Sequence, residues 1–326
     1  MNRKRFYILS FVCLIAIAGQ AQQLPVFTNY LLNSYAYNSA VAGSTPNASI
    51  NLNYRNQWVG FNDAPKTYLA SAYGGVGKQR KVALGGLVAS DNTGLLSRTS
   101  GYVTFAYHVN LNKNYKLGFG ISAGMIQYRI RLYDAKVADK GDDLLSGNIL
   151  SNNVFDSNAG LYFYSKKLFV GISGSQYLAN KITWVNSQSH LSPHFYGMAG
   201  YTFDINKNFS LQPSVLIKYN QPTPVQPEYS LRAYYKNALW VGVSYRTKDA
   251  VSALVGFTLR EKLRVGYSYD FPVTKLRSYT SGSHEIMLMY NFTKPKKKLN
   301  SDEIEFNDID NSIKNKLKKQ NEEGAK

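Results

Sequence analysis

The stretch LRVGYSYDF, Leu263 to Phe271, decides how the rest of the chain is read. Leu263, Val265, Tyr267, Tyr269 and Phe271 fall on one side of an extended chain, and Arg264, Gly266, Ser268 and Asp270 on the other. Period two sends successive side chains to opposite faces, so the segment reads as a strand with one apolar face. The other face holds a charge near each end and small residues between them, which is poor material for a dry core.

The same alternation recurs outward in both directions. Leu239, Val241, Val243 and Tyr245 oppose Gly242, Ser244 and Arg246, and Leu117, Phe119, Ile121 and Ala123 oppose Gly118, Gly120, Ser122 and Gly124. Between Asn47 and Thr293 the pattern gives fourteen segments, near 47–59, 65–77, 81–90, 98–110, 115–129, 155–165, 168–178, 194–205, 209–220, 227–235, 238–246, 250–259, 263–271 and 283–293. Every second junction is short and basic, as at Gly77-Lys78-Gln79-Arg80, Lys166-Lys167 and Arg260-Glu261-Lys262. The intervening junctions are mostly longer, with Ile130–Val154 and Ala179–Pro193 the extremes and Thr247-Lys248-Asp249 a short exception. Alternating short and long connections are expected of an up-and-down barrel across an outer membrane, with tight turns in the periplasm and larger loops outside. A soluble sandwich or lipocalin-like barrel would also alternate, but it would bury its large side chains inward. The fold expected is therefore all-β: a transmembrane antiparallel barrel of about fourteen strands over 47–293, an even count that returns both termini to the periplasm.

Composition agrees. Apolar residues make up 44% of the chain, with 26 tyrosines and 16 phenylalanines, and tyrosines such as Tyr245, Tyr269 and Tyr290 fall toward strand ends, where an interfacial aromatic girdle sits. After the N-terminal region no apolar run approaches the ~20 residues of a membrane helix. Residues 1–21, MNRKRFYILSFVCLIAIAGQA, place Arg3, Lys4 and Arg5 ahead of an apolar core and a small-x-small end, so a cleaved secretory signal is expected with maturation at Gln22. The single cysteine, Cys13, leaves with it, which excludes disulfides and thiol chemistry in the mature chain. Of the formal charge of +18, three positives belong to that leader and +15 remain. Exported proteins rarely meet nucleic acid, so the basic turns are assigned to periplasmic partners or lipid phosphates.

Two flanks lie outside the barrel. Residues 22–46 include FTNYLLNSYAYNSAVAGS, an aromatic, amphipathic segment that either tucks into the lumen or braces the periplasmic mouth. Residues 294–326 form a charged periplasmic tail with nine basic and seven acidic residues. Ile309, Ile313 and Leu317 recur in it at helical spacing, so a short amphipathic helix and a solvated tail are both open.

Candidate chemistry is sparse. Gly118-Phe119-Gly120-Ile121-Ser122-Ala123 matches a dinucleotide fingerprint as a string, but its glycines share one face of a strand, where small residues leave lumenal room for an inner segment. In Gly171-Ile172-Ser173-Gly174-Ser175 the second glycine comes one residue too early for a nucleophile elbow. The histidines are His108, His190, His194 and His284; Pro193 argues against a helix that would join His190 and His194 as metal ligands. His284-Glu285 is the obvious candidate dyad, yet neighbours on a strand point to opposite faces. No catalytic, cofactor-binding or metal site is expected, and the protein is read as a non-enzyme.

Three stretches carry a resemblance. Asn38-Ser39-Ala40-Val41-Ala42-Gly43 resembles the N-P-A-x-A-G element of PorP/SprF proteins, with serine for the usual proline. Tyr54-Arg55-Asn56-Gln57-Trp58 with Gly60, followed by Ala64-Pro65-Lys66-Thr67, is similar to that family's Y-R-x-Q-W-x-G and a-P-x-T signature, and Gly282-Ser283-His284-Glu285-Ile286 to its terminal S-H-E-I element. The resemblance implies an outer-membrane component of the type IX secretion apparatus of Bacteroidota, which exports adhesins, proteases and gliding-motility proteins. It implies partners in that machinery and a secreted, adhesin-like client, either as a PorP-like core component or as a SprF-like dedicated partner. A passive or ligand-specific pore is the alternative. A scaffold would instead have a lumen filled by residues 22–46 and by inward arginines such as Arg55 and Arg264.

Overall fold

Alternation along the strands and hydrogen bonding between them together close a sheet on itself. The computed structural model describes residues 24–77, 79–131, 149–178, 180–184, 187–220, 223–260 and 262–292; the leader and the tail 294–326 lie outside the described residues. In chain order the strands are β1 (Ala48–Asn56), β2 (Lys66–Val76), β3 (Val82–Thr93), β4 (Leu96–Asn110), β5 (Lys116–Arg131), β6 (Ile149–Tyr164), β7 (Leu168–Ser175), β8 (Lys181–Trp184), β9 (Ser187–His190), β10 (His194–Tyr201), β11 (Phe203–Asp204), β12 (Phe209–Asn220), β13 (Gln226–Tyr235), β14 (Leu239–Arg246), β15 (Ala250–Leu259), β16 (Leu263–Pro272) and β17 (Ser283–Phe292). Fourteen of them, all but β8, β9 and β11, form an antiparallel barrel. Its seam joins first strand to last, with Ala48 opposite Phe292 and Arg55 opposite Glu285. The far side closes where β10 pairs with both β7 and β12.

The two faces are inverted relative to a soluble protein. Ser49, Asn51, Asn53 and Arg55 of β1 are buried in the lumen, while Ile50 and Leu52 are exposed. On β14, Val241 and Val243 are 57% and 58% exposed, while Ser244 and Arg246 are buried. An apolar exterior around a polar interior is stable where the exterior solvent is hydrocarbon, and closure leaves no unpaired strand edge in it. Six short connections gather at one end of the barrel, the end expected to face the periplasm.

Several boundaries differ from the alternation. β3 and β4 extend to Thr93 and back to Leu96, so only Gly94 and Leu95 connect them, and β5 and β6 run to Arg131 and from Ile149. The added residues include Asp91, Asn92, Ser97, Asn152 and Asn153. Above the hydrocarbon band the backbone ladder persists without a regular apolar face, so strands outlast their own hydrophobic signal. The connection 179–193 contains the β8–β9 hairpin. Ile182 and Leu191 of this connection are buried against the inward side chains Ile126, Tyr128 and Val154, so the loop folds back over the outer mouth.

Strand parity brings Ala48 and Phe292 together at the short-turn end, but the chain ahead of β1 does not stay there. From Pro46 it runs back through the lumen to Leu24, whose amide donates to Nε2 of His194 at the loop end, 3.4 Å away.

Candidate functional site: the lumenal segment and its clamp

Residues 24–46 are held by two devices, one ionic and one steric. Near the loop end, inward positions of β1, β12, β13, β14, β16 and β17 supply Arg55, Lys218, Glu228, Arg246, Asp270 and Glu285. Arg55 Nη2 lies 2.6 Å from Asp270 Oδ2 and its Nη1 lies 3.1 Å from Glu285 Oε2. Arg246 Nε donates to Glu228 Oε2 at 2.8 Å, and its Nη1 reaches Asp249 at 2.9 Å and Asp270 at 3.4 Å. Lys218 Nζ completes the group 3.7 Å from Glu228. Both arginines and the carboxylates of Glu228, Asp270 and Glu285 are fully or almost fully buried. Such a group is tolerable only because its charges balance and its lone pairs are filled.

Thr28 and Asn29 are threaded into this network. The Thr28 and Asn29 amides donate to Glu285 Oε2 and Oε1 at 2.8 and 3.0 Å. Thr28 Oγ1 donates to Asp270 at 2.9 Å and accepts from Arg55 Nη1 at 3.2 Å and Arg246 Nη2 at 2.8 Å. One threonine thus touches the first strand, the last strand and two others, directly at the barrel seam.

Lower in the lumen the grip is steric. Asn38 caps a 3₁₀ turn, Ser39–Val41, by accepting from the Ala40 amide, and donates to the carbonyls of Leu161 and Ile172 at 2.9 and 3.2 Å. A Cβ on Gly120 would lie 2.2 Å from the Ala40 nitrogen, and one on Gly160 would lie 2.1 Å from Asn38 Oδ1. These wall positions must therefore lack side chains for the segment to dock. His108 Nε2 hydrogen-bonds the Ala42 carbonyl at 2.6 Å, with Tyr164 Oη at 3.1 Å on its Nδ1. Gly43 has φ +82 and its Cβ would meet Ala83 at 2.4 Å, so both conformation and space require glycine. Between the segment and the β3–β7 wall remains a cavity of about 100 Å³, lined in part by Tyr37, Arg98, Tyr102, Asp156 and Asn158. It has room for several waters.

The motifs singled out in sequence are brought together by this architecture. Arg55 and Glu285 pair across the seam, the Trp58 amide donates to Ser283 Oγ at 3.1 Å, and Val59 exchanges backbone bonds with Ser281 and Gly282. His284 and Glu285 part company: the imidazole points outward to Tyr267 Oη at 2.7 Å, and the carboxylate points inward. His190 is exposed, whereas His194 is buried against Asn220 and Leu24. Arg264 shares Arg55's parity but is exposed near the short-turn mouth and does not join the clamp. Thr28, Lys218, Glu228 and Arg246 had no motif to flag them; parity alone marked Arg246 and Asp270 as inward.

A closed antiparallel barrel with an apolar belt and a polar lumen occupied by its own N-terminal segment defines an outer-membrane-type transmembrane protein. Residues 19–290 match the family described as "Type IX secretion system membrane protein PorP/SprF", and the chain belongs to that family. Among solved structures it is similar to "CymD monoaromatic hydrocarbon channel", at 13% identity over 77% of this chain and 90% of that one with a TM-score of 0.46. It is also similar to a Pseudomonas aeruginosa FadL homologue, at 11% identity over 85% and 97% of the two chains with a TM-score of 0.47. No curated protein matches the chain.

Proposed function

We propose that this barrel is a non-enzymatic platform of the type IX secretion system, which supports the secretion or surface attachment of a partner protein such as an adhesin. It does so by binding machine components on the periplasmic side and the client outside. The observation that carries this reading is the clamp: a lumenal segment held at Thr28 and Asn29 by buried ion pairs suits a fixed scaffold better than an open conduit. The outer connections and the tail 294–326 supply the binding surfaces.

Crosslinking in native envelopes followed by identification of captured proteins tests the role; recovery of no secretion-system protein or exported client would refute it. Planar-bilayer recording separates the pore alternative. The platform reading expects no steady large conductance from the intact chain.

A further inference from the structure

Charge is distributed very unequally between the two ends of the barrel. The six connections at the short-turn end, 77–81, 111–115, 165–167, 202–208, 236–238 and 260–262, contain ten lysines and arginines against Asp204 and Glu261, a balance of +8. The connections at the other end, 57–65, 94–95, 132–148, 176–193, 221–225, 247–249 and 273–282, contain six bases and six acids, a balance of zero.

The basic residues also form a ring. Each of the six turns carries at least one, and the β6–β7 and β15–β16 turns lie on opposite arcs of the closed sheet. Lys81, Lys113, Lys166, Lys207, Lys236, Arg260 and Lys262 are exposed. Just toward the membrane from them stand exposed aromatic residues, including Tyr107, Tyr115, Phe209, Tyr235 and Phe257. Lys236 Nζ lies 5.3 Å from the Tyr235 ring centre, the arrangement of a cation reaching out of an interfacial aromatic belt. Only one base is neutralised by a described acid: Lys167 is 2.7 Å from Asp204, whose hydrogen bond raises the ammonium's pKa above its ordinary value.

We propose that this ring is a phosphate-binding girdle that seats the barrel on the phospholipid headgroups of the inner leaflet of the outer membrane. A protein docking from one side would call for charge on one arc. A lipid annulus meets the barrel all the way round, just beyond the aromatic belt, where these cations stand. Cations at an anionic membrane surface attract it within about a Debye length, so the ring both fixes depth and enriches anionic lipid. The inference needs only the orientation of the barrel and is independent of the secretion role.

The test uses full-length protein purified in detergent, with phosphatidylglycerol as probe and phosphatidylcholine as reference, and counts retained lipids by native mass spectrometry. K113Q/K166Q/K207Q/K236Q/R260Q/K262Q removes one or two charges from five turns without touching a lumenal residue. K181Q/K248Q/K275Q/R277Q removes charge at the opposite end. The ring variant is expected to lose at least about fivefold in retained phosphatidylglycerol, since each base near an anionic surface contributes severalfold, and the opposite-end variant less than twofold. The pair K166Q/K207Q gives a graded loss if the sextuple variant fails to fold. Wild-type phosphatidylglycerol retention in both ring variants, or equal loss in the opposite-end variant, would overturn the proposal. So would a ring variant that keeps its lipid but loses a crosslinked envelope protein, which would make the ring a protein dock.

Discussion

Replacing Glu285 with glutamine tests the clamp at its most connected point. The carboxylate accepts from four donors: the Thr28 amide at 2.8 Å, the Asn29 amide at 3.0 Å, Asn53 Nδ2 at 3.2 Å and Arg55 Nη1 at 3.1 Å. Glutamine keeps the shape but offers one acceptor oxygen and one NH₂ group. Donors on the oxygen's side keep a weaker bond, those on the other side face a second donor, and Arg55 loses one of its two counter-ions. Breaking a buried ion pair costs about 3–5 kcal/mol, and an orphaned buried donor about 1–3 kcal/mol. The segment has a cheaper alternative, which is to leave, so the lower figure, about 3 kcal/mol, is expected as lost docking and barrel stability. At about 2–4 °C per kcal/mol this is a fall of at least roughly 6 °C in the unfolding midpoint. Gel mobility of unboiled against boiled protein after graded heating reads it, and limited proteolysis reads release of residues 24–46. The control is His284→Gln one residue away, whose imidazole faces outward to the Tyr267 hydroxyl and the edge of the Tyr269 ring. Adding Arg55→Met to Glu285→Gln should recover part of the loss, because it removes the uncompensated charge. Equal midpoints for E285Q and H284Q, with residues 24–46 equally protected, would refute the reasoning.

Gly120→Val suits a strand but would drive a Cβ to 2.2 Å from the Ala40 nitrogen. The barrel should still form while the segment is displaced, giving proteolytic cleavage near Ala40 and a rise in bilayer conductance. Phe292→Asp places a charge on the lipid-facing stripe of β17 at its periplasmic end and should lower the amount of assembled barrel far more than H284Q; equal surface levels for the two would contradict it. Ile182→Asp, at a fully buried site against Ile126, Tyr128 and Val154, should release the loop that folds over the outer mouth and speed its proteolysis. Deleting residues 294–326 should leave barrel insertion intact and weaken capture of periplasmic partners; an unchanged set of captured partners would refute a binding role for the tail.

The sequence by itself determined the barrel. Parity along each strand is a local property, so LRVGYSYDF already carried Tyr267 outward and Asp270 inward. Fourteen such readings with alternating connections left one closed, lipid-facing architecture. It also placed Arg55 and Glu285 in separate motifs at opposite ends of the barrel sequence. What tertiary structure decided is that these two residues are neighbours across the seam, and that Thr28 is the ligand they share with Asp270 and Arg246. That arrangement depends on closure, register and the path of a segment with no regular hydrogen-bonding pattern, all of them non-local. The lengths of β3 to β6 were equally out of reach, because beyond the hydrocarbon band water accepts either kind of side chain and the alternation that marks a strand disappears while its backbone pairing continues.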